Sequence, residues 1–531
     1  MRRCRVSLCM IVRDEEDSLD ACLKSAAPFV DEICVVDTGS KDRSKQIAAA
    51  AGARVKTIVW PHHFAEARNV SLEMATGDWV LMLDADEVLE DSGLAAFNRY
   101  VNKPRNLAAH LLIRNHYRAD RKLECYVMRL WRRNDHHRFC NAIHEQVGPR
   151  IYETQGRTAG EIHELDVVID HYGYHEDTRA ARGKNERDRP LFERALREHP
   201  GDGYLWYKYG DFLRRFDDVD AVCRTLTRAA ELGMALPRSQ RQSAPWATEA
   251  HSLLALEYVR QGQLESAEPL LRRALSSLQA TAMLHWVHGH YCLLSEQWSE
   301  ALLAFETCMS FDGQAQHMPA QPEITSSRAF FGAARARLGL GETEKACQLF
   351  LEGADRWQNC GDLVKAATKV ELAQRQLPGA LRRITNWLEN NAGDSEAWVV
   401  AAEVLMETGL FDRAVSFCER AYATALGDAE KAVAAGLCGE CYLALGRFEA
   451  ALESWTEAPQ ELRSAVGTTL LCQALGEETP VWVDSSRLEF AGMATAMRRR
   501  LALSTAAAPL LSKALSQDRE GSLLAAPSLR G

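Results

Sequence analysis

Acidic side chains follow three apolar, β-branched runs near the start of the chain. Glu15 follows the first run, Asp37 ends the second, and Asp84 and Asp86 follow the third. Carboxylates that are brought together repel one another unless a positive charge joins them. An Asp-x-Asp pair after a strand suits a hard divalent cation that keeps some of its water and holds substrate phosphates. Because acidic side chains in such places also cap helices, the pair alone leaves both interpretations open.

The elements that would position these carboxylates can be read from the alternation of β-branched runs with helical stretches before about residue 175. We predict strands over Arg5–Val12, Glu32–Val36, Arg54–Val59 and Trp79–Leu83, separated by helices over Ser18–Ala27, Ser44–Ala51 and Ala65–Met74. This alternation predicts βαβ units and a largely parallel sheet. Since ligands bind at the carboxyl ends of the strands in such sheets, we expect the three acidic groups to converge on one edge.

After residue 175 an Ala- and Leu-rich helical period continues to about residue 475. Alanines that follow a turn recur in it with steps of 34, 45, 34, 34 and 37 residues, at Ala267, Ala301, Ala346, Ala380, Ala414 and Ala451. A 34-residue period of paired helices is the tetratricopeptide spacing. The longer step predicts an insertion around Gly313–Pro322. One helix pair cannot bury its own apolar face, so we expect the pairs to stack.

Length and charge limit the classes of function. A typical domain with one hydrophobic core has about 150 residues, so a chain of 531 residues is too long for a single core. The net charge of -10 argues against a general nucleic-acid binder, and no apolar run approaches the ~20 residues of a membrane span. The fifteen cysteines show no disulfide framework and suit a reducing compartment. We therefore expect a soluble, cytoplasmic protein with no nucleic-acid partner and no transmembrane segment.

The acidic groups belong to longer motifs in a characteristic order. The motifs are Ser7-Leu8-Cys9-Met10-Ile11-Val12-Arg13-Asp14-Glu15-Glu16, Val35-Val36-Asp37-Thr38-Gly39-Ser40, Ala67-Arg68-Asn69 and Leu83-Asp84-Ala85-Asp86-Glu87. Together, over about residues 5–175, they resemble the family 2 glycosyltransferases of GT-A fold. The chain departs from that pattern at Asp14, where relatives usually have Asn. The repeats resemble tetratricopeptide repeats over roughly half of the chain.

The first resemblance implies a nucleotide-diphosphate sugar as donor, with a UDP-sugar favoured, a Mn²⁺ or Mg²⁺ ion, and an inverting transfer. Carried over by position, it implies that Glu15 and Asp37 contact the nucleoside base, Arg68 and Asn69 the nucleotide pocket, Asp84 the ribose, and Asp86 the metal. A cation placed there would stabilise the negative charge that grows on the leaving diphosphate.

Two later motifs add titratable groups, and an inverting transferase needs one base to deprotonate its acceptor. In Asn141-Ala142-Ile143-His144-Glu145 our choice for that base is Glu145, with His144 as the alternative. In Asp170-His171-Tyr172 we expect His171 to complete the metal sphere, because imidazole suits Mn²⁺ better than Mg²⁺. For each residue, a purely structural role is the competing interpretation.

A basic stretch lies between the Asp-x-Asp pair and Glu145. It contains Arg114, Arg118, Arg121, Lys122, Arg129, Arg132, Arg133 and Arg138. Part of it could face the donor diphosphate or an anionic acceptor. A solvated strand face and loop would explain most of these side chains equally well.

We predict three segments: an α/β GT-A domain with a Rossmann-like, mostly parallel sheet over residues 1–175, an all-α tetratricopeptide-like solenoid over 176–480, and a C-terminal helix with a loose tail over 481–531. The predicted function is glycosyl transfer to a peptide or protein held by the repeats. A saccharide or lipid-linked acceptor, self-association through the repeats into a homo-oligomer, and a non-catalytic scaffold with an inactive GT-A domain are the alternatives.

Overall fold

The computed structural model describes residues 4–116, 122–158, 160–172, 184–216, 218–241, 244–314, 318, 320–475 and 490–504. The chain divides into two compact units, Met1–Ala336 and Arg337–Gly531. Each unit has buried apolar clusters of its own. The segment boundaries expected from the sequence, near residues 175 and 480, stay predictions.

An eight-stranded sheet organises the beginning of the first unit. Its strands are β1 (Val6–Val12), β2 (Glu32–Asp37), β3 (Arg54–Thr57), β4 (Trp79–Met82), β5 (Glu87–Leu89), β6 (Asn106–His116), β7 (Lys122–Arg132) and β8 (Glu161–His171). They are ordered β3-β2-β1-β4-β7-β6-β8-β5 across the sheet. The predicted fold class, an α/β domain followed by helical repeats, is confirmed.

The sheet is mixed rather than parallel throughout. The strands β3, β2, β1 and β4 pair in parallel, as does β6 with β8. The strand β7 is antiparallel to both β4 and β6, and β5 is antiparallel to β8. Only residues 117–121 separate β6 from β7, too few for the crossover that parallel pairing requires. The largely parallel arrangement expected from the sequence therefore holds for the first four strands.

Within the described residues, five α-helices accompany the sheet: α1 (Leu19–Ala26), α2 (Ser44–Ala50), α3 (Phe64–Met74), α4 (Leu94–Val101) and α5 (Gly148–Thr158). The helix α1 buries Leu19, Cys22, Leu23 and Ala26, a three-to-four-residue spacing that gives it one apolar face. The helix α3 begins after His63, whose Nδ1 accepts the backbone N–H of Glu66 at 3.2 Å and so caps the first turn. That cap fixes where the candidate residues Arg68 and Asn69 lie.

Helices form all of the regular structure that is described after β8. They are α6 (Lys184–Glu198), α7 (Gly203–Leu213), α8 (Val219–Ala235), α9 (Arg238–Arg241), α10 (Pro245–Arg260), α11 (Leu264–Ser277), α12 (Ala282–Leu294), α13 (Trp298–Met309), a π-helical turn (Ile324–Arg328), α14 (Ala329–Gly339), α15 (Thr343–Arg356), α16 (Gly361–Ala373), α17 (Leu377–Asn390), α18 (Ser395–Glu407), α19 (Phe411–Thr424), α20 (Asp428–Ala444), α21 (Phe448–Thr456), α22 (Leu462–Leu475) and α23 (Phe490–Leu501). Among the helices described, none is long and apolar enough to cross a lipid bilayer.

The repeat predicted from the alanine spacing is visible in the helix pairs. Each of the six alanines is the fourth residue of the second helix of a pair, and each is fully buried. Two positions before each of these helices the backbone is left-handed, at Gly262, Glu296, Gly341, Arg375, Gly409 and Gly446. The expected insertion around Gly313–Pro322 falls between α13 and the π-helical turn, and residues 315–317 and 319 of it lie outside the described residues.

Candidate functional site

The carboxyl ends of β2, β1 and β4 lie side by side at one edge of the sheet. Val12 at the end of β1 is in register with Asp37 at the end of β2, and Cys9 is in register with Met82 at the end of β4. The segments that follow these strands therefore start from the same edge, as the sequence predicted.

Asp37 and Glu15 organise the turns that follow β2 and β1. The carboxylate of Asp37 is fully buried and accepts the backbone N–H groups of Gly39 at 3.1 Å and Ser40 at 3.2 Å. The carboxylate of Glu15 accepts the hydroxyl of Ser18 at 3.3 Å, and its backbone N–H donates to Ser44 Oγ at 2.8 Å. These bonds fix both turns, and the contact of either carboxylate with a nucleoside base stays a prediction.

Arg68 joins two of the predicted site residues. Its Nη2 donates to Asp84 Oδ1 at 2.7 Å and its Nε donates to Glu145 Oε1 at 2.5 Å, while only 9% of its side chain is exposed. Burial alone would raise the pKa of Asp84, but the positive charges of Arg68 and Arg129 hold that pKa well below its usual value. The guanidinium of Arg68 thus lies between the carboxylate expected at the ribose and the candidate base.

A second arginine, Arg129 on β7, contacts the same carboxylate. Its Nη2 donates to Asp84 Oδ2 at 3.1 Å and to Glu87 Oε1 at 2.5 Å. The side chain of Glu87 is only 1% exposed, and its Oε2 accepts the backbone N–H of Asp84 at 2.9 Å. Burial raises the pKa of Glu87 above its usual value even though Arg129 opposes the shift. Sequence reasoning placed Arg129 only in the basic stretch and gave Glu87 no role.

Asp86 and His171 approach each other at the same edge, with 3.5 Å between Asp86 Oδ1 and His171 Nε2. The other ring nitrogen, Nδ1, lies 2.7 Å from Asn115 Oδ1. Because the amide nitrogen of Asn115 donates to the carbonyl of Leu123, its oxygen is the acceptor and Nδ1 of His171 carries the proton. The imidazole therefore presents Nε2 toward Asp86, the arrangement that a metal-binding histidine oriented by a second hydrogen bond requires.

This pair fits a divalent cation that takes its remaining ligands from water and phosphate. Among the described residues, no group of three or more His, Cys, Asp or Glu side chains is arranged to hold a metal ion. Burial would lower the pKa of His171, but the hydrogen bond to Asp86 and the charge of Glu87 reverse this, so that its pKa is raised. The carboxylates around His171 thus favour its protonated form, which a bound cation would have to displace.

Contacts of Asn69 and His144 position the loop that carries Glu145. The amide of Asn69 donates to the carbonyl of Phe139 at 3.0 Å and accepts its N–H at 2.8 Å, so it clamps the start of the loop. The ring of His144 lies 5.2 Å from that of Phe192 on α6. The structure therefore brings Glu145 to Arg68, whereas it brings His144 to the first helix after the sheet.

The same loop shares a buried core with the first helices. Ala142 and Ile143 are buried in one cluster with Phe192 on α6 and Leu205 on α7. The carbonyl of Ala142 also accepts the N–H of Phe64 at 2.9 Å, where α3 begins. Packing on both sides thus fixes the backbone next to Glu145.

Two further arginines of the basic stretch, Arg114 and Arg132, have structural partners. Arg114 pairs with Glu90 at 2.6 Å and Glu124 at 2.8 Å, and Arg132 donates to the carbonyl of Asn106 at 2.6 Å. Arg118 and Arg121 lie outside the described residues. Of Arg114, Arg129 and Arg132, Arg129 is the one that contacts a carboxylate expected at the nucleotide, Asp84. A phosphate-facing role for the stretch stays a prediction.

The parallel strands with an acidic carboxyl edge, joined to antiparallel strands, define an α/β domain of GT-A type, and the helix pairs define a repeat domain. Residues 7–150 match the profile of "Glycosyl transferase family 2", and residues 248–273 and 366–430 match profiles described as "Tetratricopeptide repeat". The chain thus carries a family 2 glycosyltransferase domain at its N-terminal end, followed by tetratricopeptide repeats, which confirms both resemblances.

Individual proteins are similar to parts of the chain. A "TPR repeat-containing protein" of Synechococcus elongatus is 37% identical over 51% of this chain and 66% of its own length. A glycosyltransferase of Rickettsia typhi is 28% identical over 32% of this chain and 60% of its own length. The chain thus spans less than two thirds of either relative. A crystal structure of a tetratricopeptide repeat protein from Parabacteroides merdae aligns with a TM-score of 0.36 and 16% identity, over 49% of this chain and 93% of that protein.

Proposed function

We propose that this chain transfers a glycosyl group, with inversion, from a nucleotide-diphosphate sugar to a nucleophilic acceptor, and that a UDP-sugar is the favoured donor. The observation that carries the proposal is the position of Arg68, which contacts both Asp84 and Glu145. This contact supports a nucleotide site and a catalytic base on the same side of the sheet. The glycosyltransferase family of residues 7–150 supports the reaction class.

In the proposed reaction Glu145 is the base. Its Oε1 is held by Arg68 Nε, and its Oε2 takes the proton of the acceptor. The acceptor atom then bonds to the anomeric carbon of the sugar. The bond from that carbon to the diphosphate oxygen breaks, and its electron pair leaves with the diphosphate. Glu15, Asp37 and Asp84 keep the donor in line by contacts with its nucleoside.

Asp86 and His171 would hold a divalent cation, either Mn²⁺ or Mg²⁺. Their carboxylate and imidazole donors, 3.5 Å apart, support this assignment, and the imidazole favours Mn²⁺. When bound, the cation supplies positive charge that stabilises the leaving diphosphate by several kcal/mol. Arg129 holds the carboxylates of Asp84 and Glu87, which lie close to Asp86 in the chain.

For the acceptor we propose a peptide or protein that the repeats hold, because stacked helix pairs form extended surfaces of the kind that bind such partners. We further propose that the reaction takes place in the cytoplasm. All fifteen cysteines are free thiols, which suits a reducing compartment. Self-association through the repeats stays a prediction.

The test is release of nucleoside diphosphate from a panel of nucleotide sugars incubated with the full chain and Mn²⁺. We expect one donor to be turned over, and we expect Asp86→Ala or removal of the cation by EDTA to abolish that turnover. Asp91→Ala, an exposed carboxylate five residues along, is the matched control and should retain it. Release from no donor, together with no nucleotide binding by calorimetry, would contradict the proposed function.

A further inference from the structure

An exposed aromatic residue, Tyr172, lies beside the candidate metal pair Asp86 and His171. It directly follows His171 in the chain, and its backbone N–H donates to the carbonyl of Asp86 at 3.2 Å. Tyr172 is nevertheless 48% exposed. The chain thus holds a large aromatic side chain at the solvent-accessible edge of the candidate site, and the proposed reaction has so far given it no role.

The ring of Tyr172 is stacked on the imidazole of His116 at the end of β6. The two ring centroids are 4.7 Å apart and the ring planes differ by 14°. The imidazole therefore covers one face of the Tyr172 ring. The exposed area lies on the opposite face and at the edge of the ring, where a ligand can reach it.

Ion pairs fix His116 in the position that this stacking requires. Its Nε2 lies 2.6 Å from Asp170 Oδ1 on β8, and the same carboxylate oxygen lies 3.5 Å from Arg114 Nη1 on β6. Arg114 is held in turn by Glu90 at 2.6 Å. The stacked rings are thus in place before a ligand binds, and a preformed surface loses little conformational entropy on binding.

The strand order places Tyr172 on the far side of the metal pair from the predicted nucleoside contacts. Asp37 ends β2 and Asp84 follows β4, whereas His171 ends β8, three strands beyond β4 in the sheet. In a nucleotide-diphosphate sugar the base, the ribose, the diphosphate and the sugar follow one another in this order. With the diphosphate at Asp86 and His171, the sugar therefore extends toward β8 and Tyr172.

The open face of an aromatic ring suits a sugar. A pyranose ring presents several C–H groups on one face, and their partial positive charge is attracted by the electron-rich face of the aromatic ring. The sugar hydroxyl groups lie around the rim and stay free to form hydrogen bonds. Small-molecule sites commonly combine such an aromatic wall with a few polar groups.

We propose that Tyr172 is the platform on which the sugar ring of the donor packs, and that His116 is a positioning residue that supports this platform. The inference rests on the proposed glycosyl transfer and assigns the part of its site that recognises the sugar. It requires a contact of Tyr172 with the sugar and none with the nucleoside diphosphate.

The test compares the binding of UDP with that of UDP-glucose and UDP-N-acetylglucosamine, measured by calorimetry on the full chain with Mn²⁺. We expect Tyr172→Ala to weaken the binding of the UDP-sugar that the wild type prefers by about 3- to 10-fold, and to leave UDP binding unchanged. Tyr172→Phe keeps the ring and should bind both compounds as the wild type does. His116→Ala should weaken UDP-sugar binding alone, because it removes the support of the ring.

The matched control is Tyr422→Ala, which removes a tyrosine of similar exposure, 40%, from α19 and should leave both affinities unchanged. If Tyr172→Ala weakens UDP and UDP-sugar binding equally, the side chain supports the metal pair rather than the sugar and the proposal is wrong. It is also wrong if neither affinity changes. Both results would leave the proposed function standing, whereas a wild type that binds neither UDP-sugar would overturn the favoured donor together with this inference.

Discussion

The guanidinium of Arg68 holds the carboxylate of Glu145 at 2.5 Å across a sequence separation of 77 residues. Its other end holds Asp84, so one side chain fixes the relative positions of two candidate site residues. Both bonds are largely removed from solvent, where charge-assisted hydrogen bonds are strong and a lone charge is costly.

Replacement of Arg68 should therefore cost both stability and activity. We expect Arg68→Ala to lower the free energy of unfolding by about 3–5 kcal/mol, because Glu145 loses its buried charge partner and Asp84 keeps only Arg129. Urea denaturation and donor turnover measure the two effects. Arg228→Ala, which removes an exposed pair with Glu231, is the control and should change stability by less than about 1 kcal/mol. Equal effects of the two variants would show that the Arg68 contacts are unimportant.

The base assignment can be tested with a substitution that keeps the shape of the side chain. Glu145→Gln removes the proton acceptor, so we expect nucleotide binding by calorimetry to persist while transfer falls by about 10²- to 10⁴-fold. His144→Ala should retain transfer, because the ring of His144 lies against Phe192. The opposite pair of results would assign the base role to His144.

Stability should depend on pH through Glu249 of α10, which is 7% exposed. Burial raises its pKa from 4.5 to about 7, so the folded chain keeps a proton that the unfolded chain has already released. The resulting loss of stability is absent below pH 4.5, grows between 4.5 and 7, and is complete above 7. At about 1.4 kcal/mol per pH unit it reaches roughly 3 kcal/mol.

We therefore expect Glu249→Gln to stabilise the chain at pH 8 relative to the wild type, and to lose that advantage at pH 4.5. Urea denaturation at a series of pH values measures the difference. Gln263→Ala, a neutral exposed site just after the same helix, should show an effect that does not change with pH. A Glu249→Gln effect that is constant from pH 4.5 to 8 would contradict the prediction.

Glu296 has a backbone conformation that favours glycine. Its φ is 56°, and Gly262 occupies the equivalent turn of the preceding pair with a φ of 72°. A residue with a side chain pays about 1–2 kcal/mol for this backbone conformation, and glycine would relieve that strain. The greater conformational freedom of glycine in the unfolded chain offsets roughly 0.5–1 kcal/mol of the relief. We expect Glu296→Gly to raise the free energy of unfolding by about 0.5–1 kcal/mol, whereas Glu296→Ala, which keeps the Cβ, should not raise it.

The strands β1, β2 and β4 could be predicted from sequence because each is a short, largely buried apolar run, whereas β3 is largely exposed and was indicated only by its β-branched residues between two helices. The predicted strand Glu32–Val36, for example, differs from β2 by one residue. The later strands were not predicted, since half-buried charged side chains interrupt their apolar pattern. Arg114 of β6, for example, pairs with Glu124 of the neighbouring strand β7. In the sequence, a charged residue that is paired in this way cannot be distinguished from one that faces solvent.

The candidate site was predictable as a set of residue types but not as a set of contacts. The order of the motifs indicated which edge carries Asp84 and Asp86. Local pattern carries no information about the bond from Arg129 to Glu87, because β7 reaches β4 only through an antiparallel pairing between residues far apart in the chain. The same holds for α23, whose arginines Arg499 and Arg500 pair with Glu407 of α18 and Glu440 of α20, in two earlier helix pairs.

The core that Ala142 and Ile143 share with α6 and α7 limits how this chain can be divided. A catalytic domain cut after residue 175 and grafted onto another repeat array would expose this apolar surface beside Glu145. An α/β domain transferred to another protein would therefore have to carry α6 and α7 with it. In this sense the first two helices after the sheet belong to the glycosyltransferase domain rather than to the repeats.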